Sequence, residues 1–279
     1  MKNSTAKRIW QIMIYVLLTI GSVIMLFPLF WMLSTSLKAD HEVFQYNTPL
    51  WPAAPNWGNY VEAFTTLPFG EWTMNTLFIT VFTIIGTLLS CTVVAYGFSR
   101  FRAKGRKVLF FVLLATMMLP SQVTMIPLFV IFKEVGWINT YYPLIVPTFF
   151  GNAFFIFLLR QFFMSLPTEL EDAAEIDGLG TMGKLLRIIL PLTLPALTTV
   201  AIFQFNGVWN DFMGPLIYLN EPDSFTLALG INFFKSENNI QWNYLMAASV
   251  VSMLPSLIIF FAGQKYFIEG IAISSGTKG

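Results

Sequence analysis

"EDAAEIDGLGTMGKLLRIILP", Glu171 to Pro191, is the stretch on which the reading of this chain turns. Glu169, Glu171, Asp172, Glu175 and Asp177 crowd together here, although only 11% of the 279 residues are charged and 56% are hydrophobic. Thr168 followed three residues later by Glu171, with Pro167 just ahead, is a capping-box pattern that predicts a helix start. Acidic side chains in the first turns suit the positive end of the helix dipole. The helix is expected to run to about Ile176 and to stop at Asp177-Gly178, where glycine can take the left-handed conformation. A second short helix, from about Met182 to Ile189, then meets Pro191, which can open the next apolar segment. Ala173 and Ala174 give the first helix a low-relief face that another backbone can approach closely, and the carboxylates around it offer charge pairing to a basic groove. An ordinary solvated connection is the plainer alternative.

The chain on either side is that of a membrane protein. A soluble domain is about one-quarter charged, far above this chain's share, and 29 Phe, 8 Trp and 13 Met exceed what one core hides. A bilayer span needs about 20 apolar residues, and six stretches meet or approach that length. They run from Trp10 to about Leu37, about Trp72 to Phe98, Val108 to about Phe132, about Tyr142 to Leu159, just after Pro191 to about Tyr218, and about Tyr244 to Gly263. The fourth is short and follows the turn-like "GWINTYYP". The first is too long for a signal-peptide core and has no small-residue cleavage pattern, so it reads as a retained anchor.

Lysine and arginine set the orientation. With the N-terminus inside, the inner segments hold Lys2, Lys7, Arg8, Arg100, Arg102, Lys104, Arg106, Lys107, Arg160, Lys184, Arg187, Lys265 and Lys278. The outer loops hold only Lys38, Lys133 and Lys235, so both termini are expected in the cytoplasm. The acidic patch then lies on the inner face between spans four and five. Anionic lipid there favours Lys and Arg, so a carboxylate cluster is better explained by a protein neighbour.

Several function classes drop out. A net charge of +1 gives no argument for nucleic acid; the single Cys91 cannot form an internal disulfide, and the lone His41 cannot build a metal site. There is no Walker A pattern and no catalytic cluster, so neither cofactor nor enzyme activity is expected of the chain itself.

Two outer loops are long enough to have a role: about 38 to 71, with "YNTPLWPAAPNWGNY", and about 219 to 243, with "NEPDSFTLALGINFFKSENNIQW". Trp51, Trp57 and Trp72 are expected in an interfacial belt. Within span five, "FQFNGVWNDF" places Gln204, Asn206, Asn210 and Asp211 in an apolar setting, where polar groups usually face a bundle interior or an aqueous cavity. With Trp209 and Phe205 beside them, the amides would suit a sugar, which offers hydroxyls and an apolar ring face. They would equally serve as hydrogen-bonding glue between helices, and Asp211 could sit at the outer mouth.

"EDAAEIDGLGTMGKLLRIILPLTLPAL" resembles the EAA loop of ATP-binding-cassette importer permeases, with Asp172, Ala173, Ala174, Gly178 and Pro191 in the motif positions. The departure is Asp172 in place of the usual glutamate, with Glu171 directly before it. "MLPSQVTMIPLFVIF", "GVWNDFMGPLIY", "LMAASVVSMLP" and "QKYFIEGIAISSGTKG" resemble the carbohydrate-uptake branch, in particular its maltose-type second permease. That resemblance implies an all-α membrane protein with six transmembrane helices and the type I importer permease fold. Residues 1–9 would be a cytoplasmic N-terminus, 10–266 the permease domain with its coupling loop at 164–190, and 267–279 a cytoplasmic tail. It further implies a plasma-membrane location in a bacterium or archaeon, a second homologous permease, an ATPase dimer and an extracytoplasmic sugar-binding protein. Glu171, Asp172, Ala173, Ala174, Asp177 and Gly178 would couple the chain to the ATPase, and the loop at 219 to 243 would probe the docked binding protein. An oligosaccharide is the expected cargo.

A secondary transporter is the main alternative; it would want an inverted repeat and intramembrane ionisable groups, and Asp211 is the one candidate charge. A scaffolding membrane protein would need neither Asn206 nor Asp211 inside. A permease of the same class for a non-sugar solute remains the nearest variant.

Overall fold

The computed structural model describes residues 2–45, 48–235 and 241–274. In chain order the helices are α1 (Lys2–Ser36), α2 (Asp40–Val43), α3 (Gly58–Thr66), α4 (Phe69–Arg100), α5 (Arg106–Thr116), α6 (Ser121–Glu134) and α7 (Tyr142–Ile145). There follow a 3-10 turn (Val146–Phe150), α8 (Ala153–Ser165), α9 (Glu169–Ile176), α10 (Thr181–Lys184), a π turn (Leu185–Ile189) and α11 (Leu190–Leu192). The chain continues through α12 (Leu194–Trp209), α13 (Met213–Tyr218), α14 (Leu227–Gly230) and α15 (Trp242–Ser274). Among the described residues, four helical segments are long and apolar enough to cross a bilayer, and up to six if each of two bent pairs is one span.

The bend in span three departs from the continuous span expected of the sequence, whereas the break before span five, expected at Pro191, falls two residues later. Span three breaks between α5 and α6 at 94°, where Pro120 is extended (ψ 137°) and cannot continue a helix. Span five breaks at Thr193, where the stretch 181–192 meets α12 at 78°. Helix α12 begins at Leu194, with Pro195 in its first turn, and ends at Trp209 instead of running on to Tyr218. Asn206 is therefore about 18 Å along α12 from Leu194, at 1.5 Å per residue.

The chain forms two compact units, Met1–Pro68 with Ile231–Met253, and Phe69–Gly230 with Leu254–Gly279. In the first, Asn59 is the polar centre. Its buried Nδ2 donates to the carbonyls of Ser36 and Lys38, each at 2.8 Å, and its Oδ1 accepts from Asn56 and Asn243. Those bonds close the C-terminal end of α1 over α3 and the start of α15. The apolar span of α1 itself buries nothing within the chain, leaving its side chains for lipid or another protein.

In the second unit α4 is the central helix, with α8, α12 and the 3-10 turn packed on it. Buried Thr76, Thr80, Thr83, Thr87, Cys91 and Ala95 line one side of α4, the small-residue surface that lets membrane helices approach closely. Gly86 marks a close approach: a Cβ there would lie 2.6 Å from Thr148 Oγ1.

Trp72, expected in an interfacial belt, is instead buried within the chain at 1% exposure. The segment 222–230 folds back over the first turns of α4, so the indole Nε1 donates to Pro222 O at 2.8 Å and the ring lies against Gly230. Trp51 and Trp57 do remain exposed. A methyl on Gly230 would fall 2.1 Å from that buried ring. Gly230→Ala should therefore destabilise the protein by about 1–3 kcal/mol, the usual cost of overpacking, read as a lower midpoint of thermal unfolding in detergent. An unchanged midpoint would mean that the 222–230 segment is not held there. Residues 236–240, within the loop from about 219 to 243, and the tail residues 275–279 with Lys278 lie outside the described residues.

Candidate functional site

The acidic patch folds as two short helices joined at a glycine. α9 ends in a Schellman closure: Leu179 N donates to Ala174 O at 2.9 Å and Gly178 N to Glu175 O at 3.0 Å. Gly178 adopts φ +83°, and a Cβ there would meet nothing within 4 Å. Glycine is needed for its torsion, not for space. Beyond the turn, Lys184 Nζ donates to Glu175 at 2.7 Å and ties α10 to α9. That bond and the lysine's charge hold the Glu175 carboxyl below the usual carboxylate range.

The capping box does not form. Thr168 makes no side-chain cap, and the Glu171 carboxylate turns inward instead. It accepts a hydrogen bond from Tyr96 Oη at 2.8 Å and pairs with the Arg100 guanidinium. Arg100 offers the carboxylate a full opposite charge, whereas a backbone N–H at the helix start offers only a dipole. Glu171 is thus buried, like Ala174 one turn on, whereas Asp172, Ala173 and Asp177 are exposed. Of the six residues expected to meet an ATPase, Glu171 and Ala174 face the chain's own core.

The exposed face of α9 is apolar at its centre. Leu170, Ala173 and Ile176 recur every three residues on one side, and Ile176 is 88% exposed. Glu169, Asp172 and Asp177 rim this stripe. Sequence reading dwelt on the charges and missed the stripe. Its signal was Leu170 and Ile176 set three residues either side of Ala173.

The second group of expected residues does not converge on one cavity. Trp209 is buried, its ring stacked on Phe205 with centroids 5.2 Å apart. Gln204 and Asn206 are half-buried, and Asn206 Nδ2 donates to Ile202 O within its own helix. Asn210 is exposed beside α15, donating to Asn206 O at 2.9 Å and lying 3.5 Å from Ser256 Oγ. Asp211 accepts from Gly214 N at 3.1 Å and lines a cavity of about 40 Å³ with Thr76, Val208 and Thr226. About 10–15 Å³ of such space is enough to admit a water, so that cavity has room for water but is too small for a sugar.

A larger pocket, about 620 Å³, opens between α4 and the segment before α7. Phe78, Phe82, Tyr141 and Tyr142 give it aromatic walls, with Thr140 and Ser224 as polar groups. Its size falls in the range of small-molecule sites. The sequence showed Tyr141 and Tyr142 only as part of a turn. What places them is Asn139, held at φ +62° because its Oδ1 accepts from the backbone N–H of Asn220 and Glu221.

Comparison with known proteins fits this geometry. Residues 86–272 match the family described as "Binding-protein-dependent transport system inner membrane component". A probable ABC transporter permease of Bacillus subtilis (strain 168) is 33% identical, over 98% of this chain and 91% of that protein. The arabinooligosaccharides transport system permease protein AraQ of the same organism is also 33% identical, over the full length of both. Among solved structures, a bacterial ABC transporter involved in the import of the acidic polysaccharide alginate matches with a TM-score of 0.83. That chain is 27% identical, with 94% of this chain and 98% of its own length covered. The all-helical fold is that of an importer permease, and the chain belongs to the binding-protein-dependent inner-membrane components: it is a multi-pass permease of an ATP-binding-cassette importer, whose ATPase is a separate subunit.

Proposed function

We propose that this permease carries an oligosaccharide inward by alternating access, driven by an ATPase that grips the α9–α10 loop. The observation that carries the reading is the exposed face of α9: an apolar stripe with an acidic rim, on a cytoplasmic connection where lipid would favour the opposite charge. A protein cleft of basic rim and apolar floor is its complement. The sugar assignment draws support from full-length similarity to an arabino-oligosaccharide permease and from a likeness to the alginate importer. It agrees with the aromatic pocket, whose ring faces would stack on a pyranose or furanose while Thr140 and Ser224 meet hydroxyls. Asn206 and Asn210, on one side of α12, would serve the same path. In this reading the partners are a second permease, an ATPase dimer and an extracytoplasmic sugar-binding protein, both termini lie inside, and the domain limits 1–9, 10–266 and 267–279 hold.

The test is reconstitution. Alone in proteoliposomes, the chain should neither hydrolyse ATP nor accumulate sugar. With its ATPase, partner permease and binding protein it should accumulate an oligosaccharide at the expense of ATP. Uphill uptake by the lone chain on a proton or sodium gradient would make it a secondary transporter. Uptake by the full complex of an amino acid and no sugar would overturn the cargo alone.

A further inference from the structure

The residues that hold α9 from behind give it a mechanical partner. Glu171 accepts from Tyr96 Oη at 2.8 Å and pairs with Arg100, both in the last turns of α4. Arg100 Nη2 also donates to Leu166 O at 3.1 Å, just before α9, and Arg160 Nε of α8 donates to Phe98 O at 3.2 Å. The opposite end of α4 is fastened just as closely. Trp72 Nε1 donates to Pro222 O at 2.8 Å, and Asn75 Nδ2 donates to Asp223 O at 2.8 Å and to Phe225 O at 3.1 Å. Leu227 N donates to Thr76 Oγ1 at 2.8 Å. Between the two ends, α4 runs 32 residues without a proline, about 48 Å at 1.5 Å per residue. The helix that follows the docking loop in sequence is a poorer conductor. A π turn at Leu185–Ile189 and a 78° bend at Thr193 separate α9 from α12.

We infer that the Glu171–Tyr96–Arg100 cluster is a latch that binds α9 to α4, so that displacement of the docked helix reaches the 222–227 strap through α4 and not through α12. Rigid elements with fixed ends carry coupling in this way. Glu171 is then a positioning residue: it touches neither ATPase nor sugar, and its carboxylate keeps α9 and α4 moving as one body. The inference rests on the docking role proposed for α9 and adds to it the route taken by the motion.

The experiment uses the assembled transporter in proteoliposomes, reading two quantities: ATPase subunit retained through purification, and sugar delivered per ATP hydrolysed. Glu171→Gln should retain the ATPase and lower the sugar-per-ATP ratio at least fivefold. Tyr96→Phe, which removes one hydroxyl from a packed site, should lower the ratio less. Combining the two should lower it no further than Glu171→Gln alone, because both act on one latch. Trp72→Phe, at the far end of α4, should also lower the ratio with the ATPase retained. A normal ratio in both Glu171→Gln and Tyr96→Phe overturns the latch, as does a normal ratio in Trp72→Phe. Loss of ATPase from Glu171→Gln in proportion to its lost transport overturns it too, by making Glu171 a contact residue. Failure of the docking role itself shows separately, as normal ATPase retention in a variant of the exposed α9 face such as Ala173→Arg.

Discussion

Ile176→Asp should strip the ATPase subunit from the purified complex and reduce sugar uptake by tenfold or more. Ile176 is 88% exposed in the lone chain, at the C-terminal end of an apolar stripe with Leu170 and Ala173. If the stripe seats in the ATPase, burial of such a side chain is worth about 1.5–3 kcal/mol. At about 1.4 kcal/mol per decade of affinity, losing it and adding a desolvated carboxylate weakens docking by at least tenfold. Ala173→Arg should act as strongly by another route, driving a long side chain into a close contact. Both substitutions lie on the solvent side of α9, so the permease should still insert and hold its thermal midpoint. Co-purification of the ATPase at normal ratio with both variants would show that this face docks nothing.

Gly178→Val should leave the protein in the membrane and abolish most transport. The glycine sits at φ +83° with open space around it, so the cost is torsional. A β-branched residue in that region is strained by about 1–3 kcal/mol and can escape only by unwinding the closure that Leu179 and Gly178 make onto α9. Either response moves α10 relative to α9, which their Lys184–Glu175 bond otherwise fixes. Gly178→Asn is the control, because asparagine tolerates the left-handed region; it should keep most of the uptake. Equal uptake by the valine and asparagine variants would remove the turn geometry from the mechanism.

The bounds of α9 and the glycine turn were legible because they follow from local chemistry: helix-forming residues, then Asp177-Gly178 at a C-terminus. Six apolar segments were legible for the same reason, since length and hydropathy are local. What the sequence hid was tertiary. Glu171 could cap its own helix or reach elsewhere, and only the fold brings Tyr96 and Arg100, some 70 positions earlier, within reach of it. With Glu171 buried, exposed Asp172 is the carboxylate left to pair with a basic cleft, so charge reversal at 172 should weaken ATPase binding most at low salt. Trp72 looked interfacial because nothing local announces that residues 222–230 fold over it. The bend at Pro120 was equally obscure, because a membrane helix can absorb a proline or break at it, and packing decides which. Trp209 and Asn210 are neighbours in sequence, yet one is buried against Phe205 and the other exposed beside α15.

Site-directed cross-linking tests the docking of α9 most directly. With Cys91, which is buried in the α4 core, replaced by alanine, Ala173→Cys should form a covalent adduct with the ATPase subunit under a short thiol cross-linker. The adduct should be lost when Gly178→Val is added. No adduct from position 173, in a transporter that still delivers sugar at the normal rate, would contradict the docking of α9 and with it the route by which ATP drives this permease.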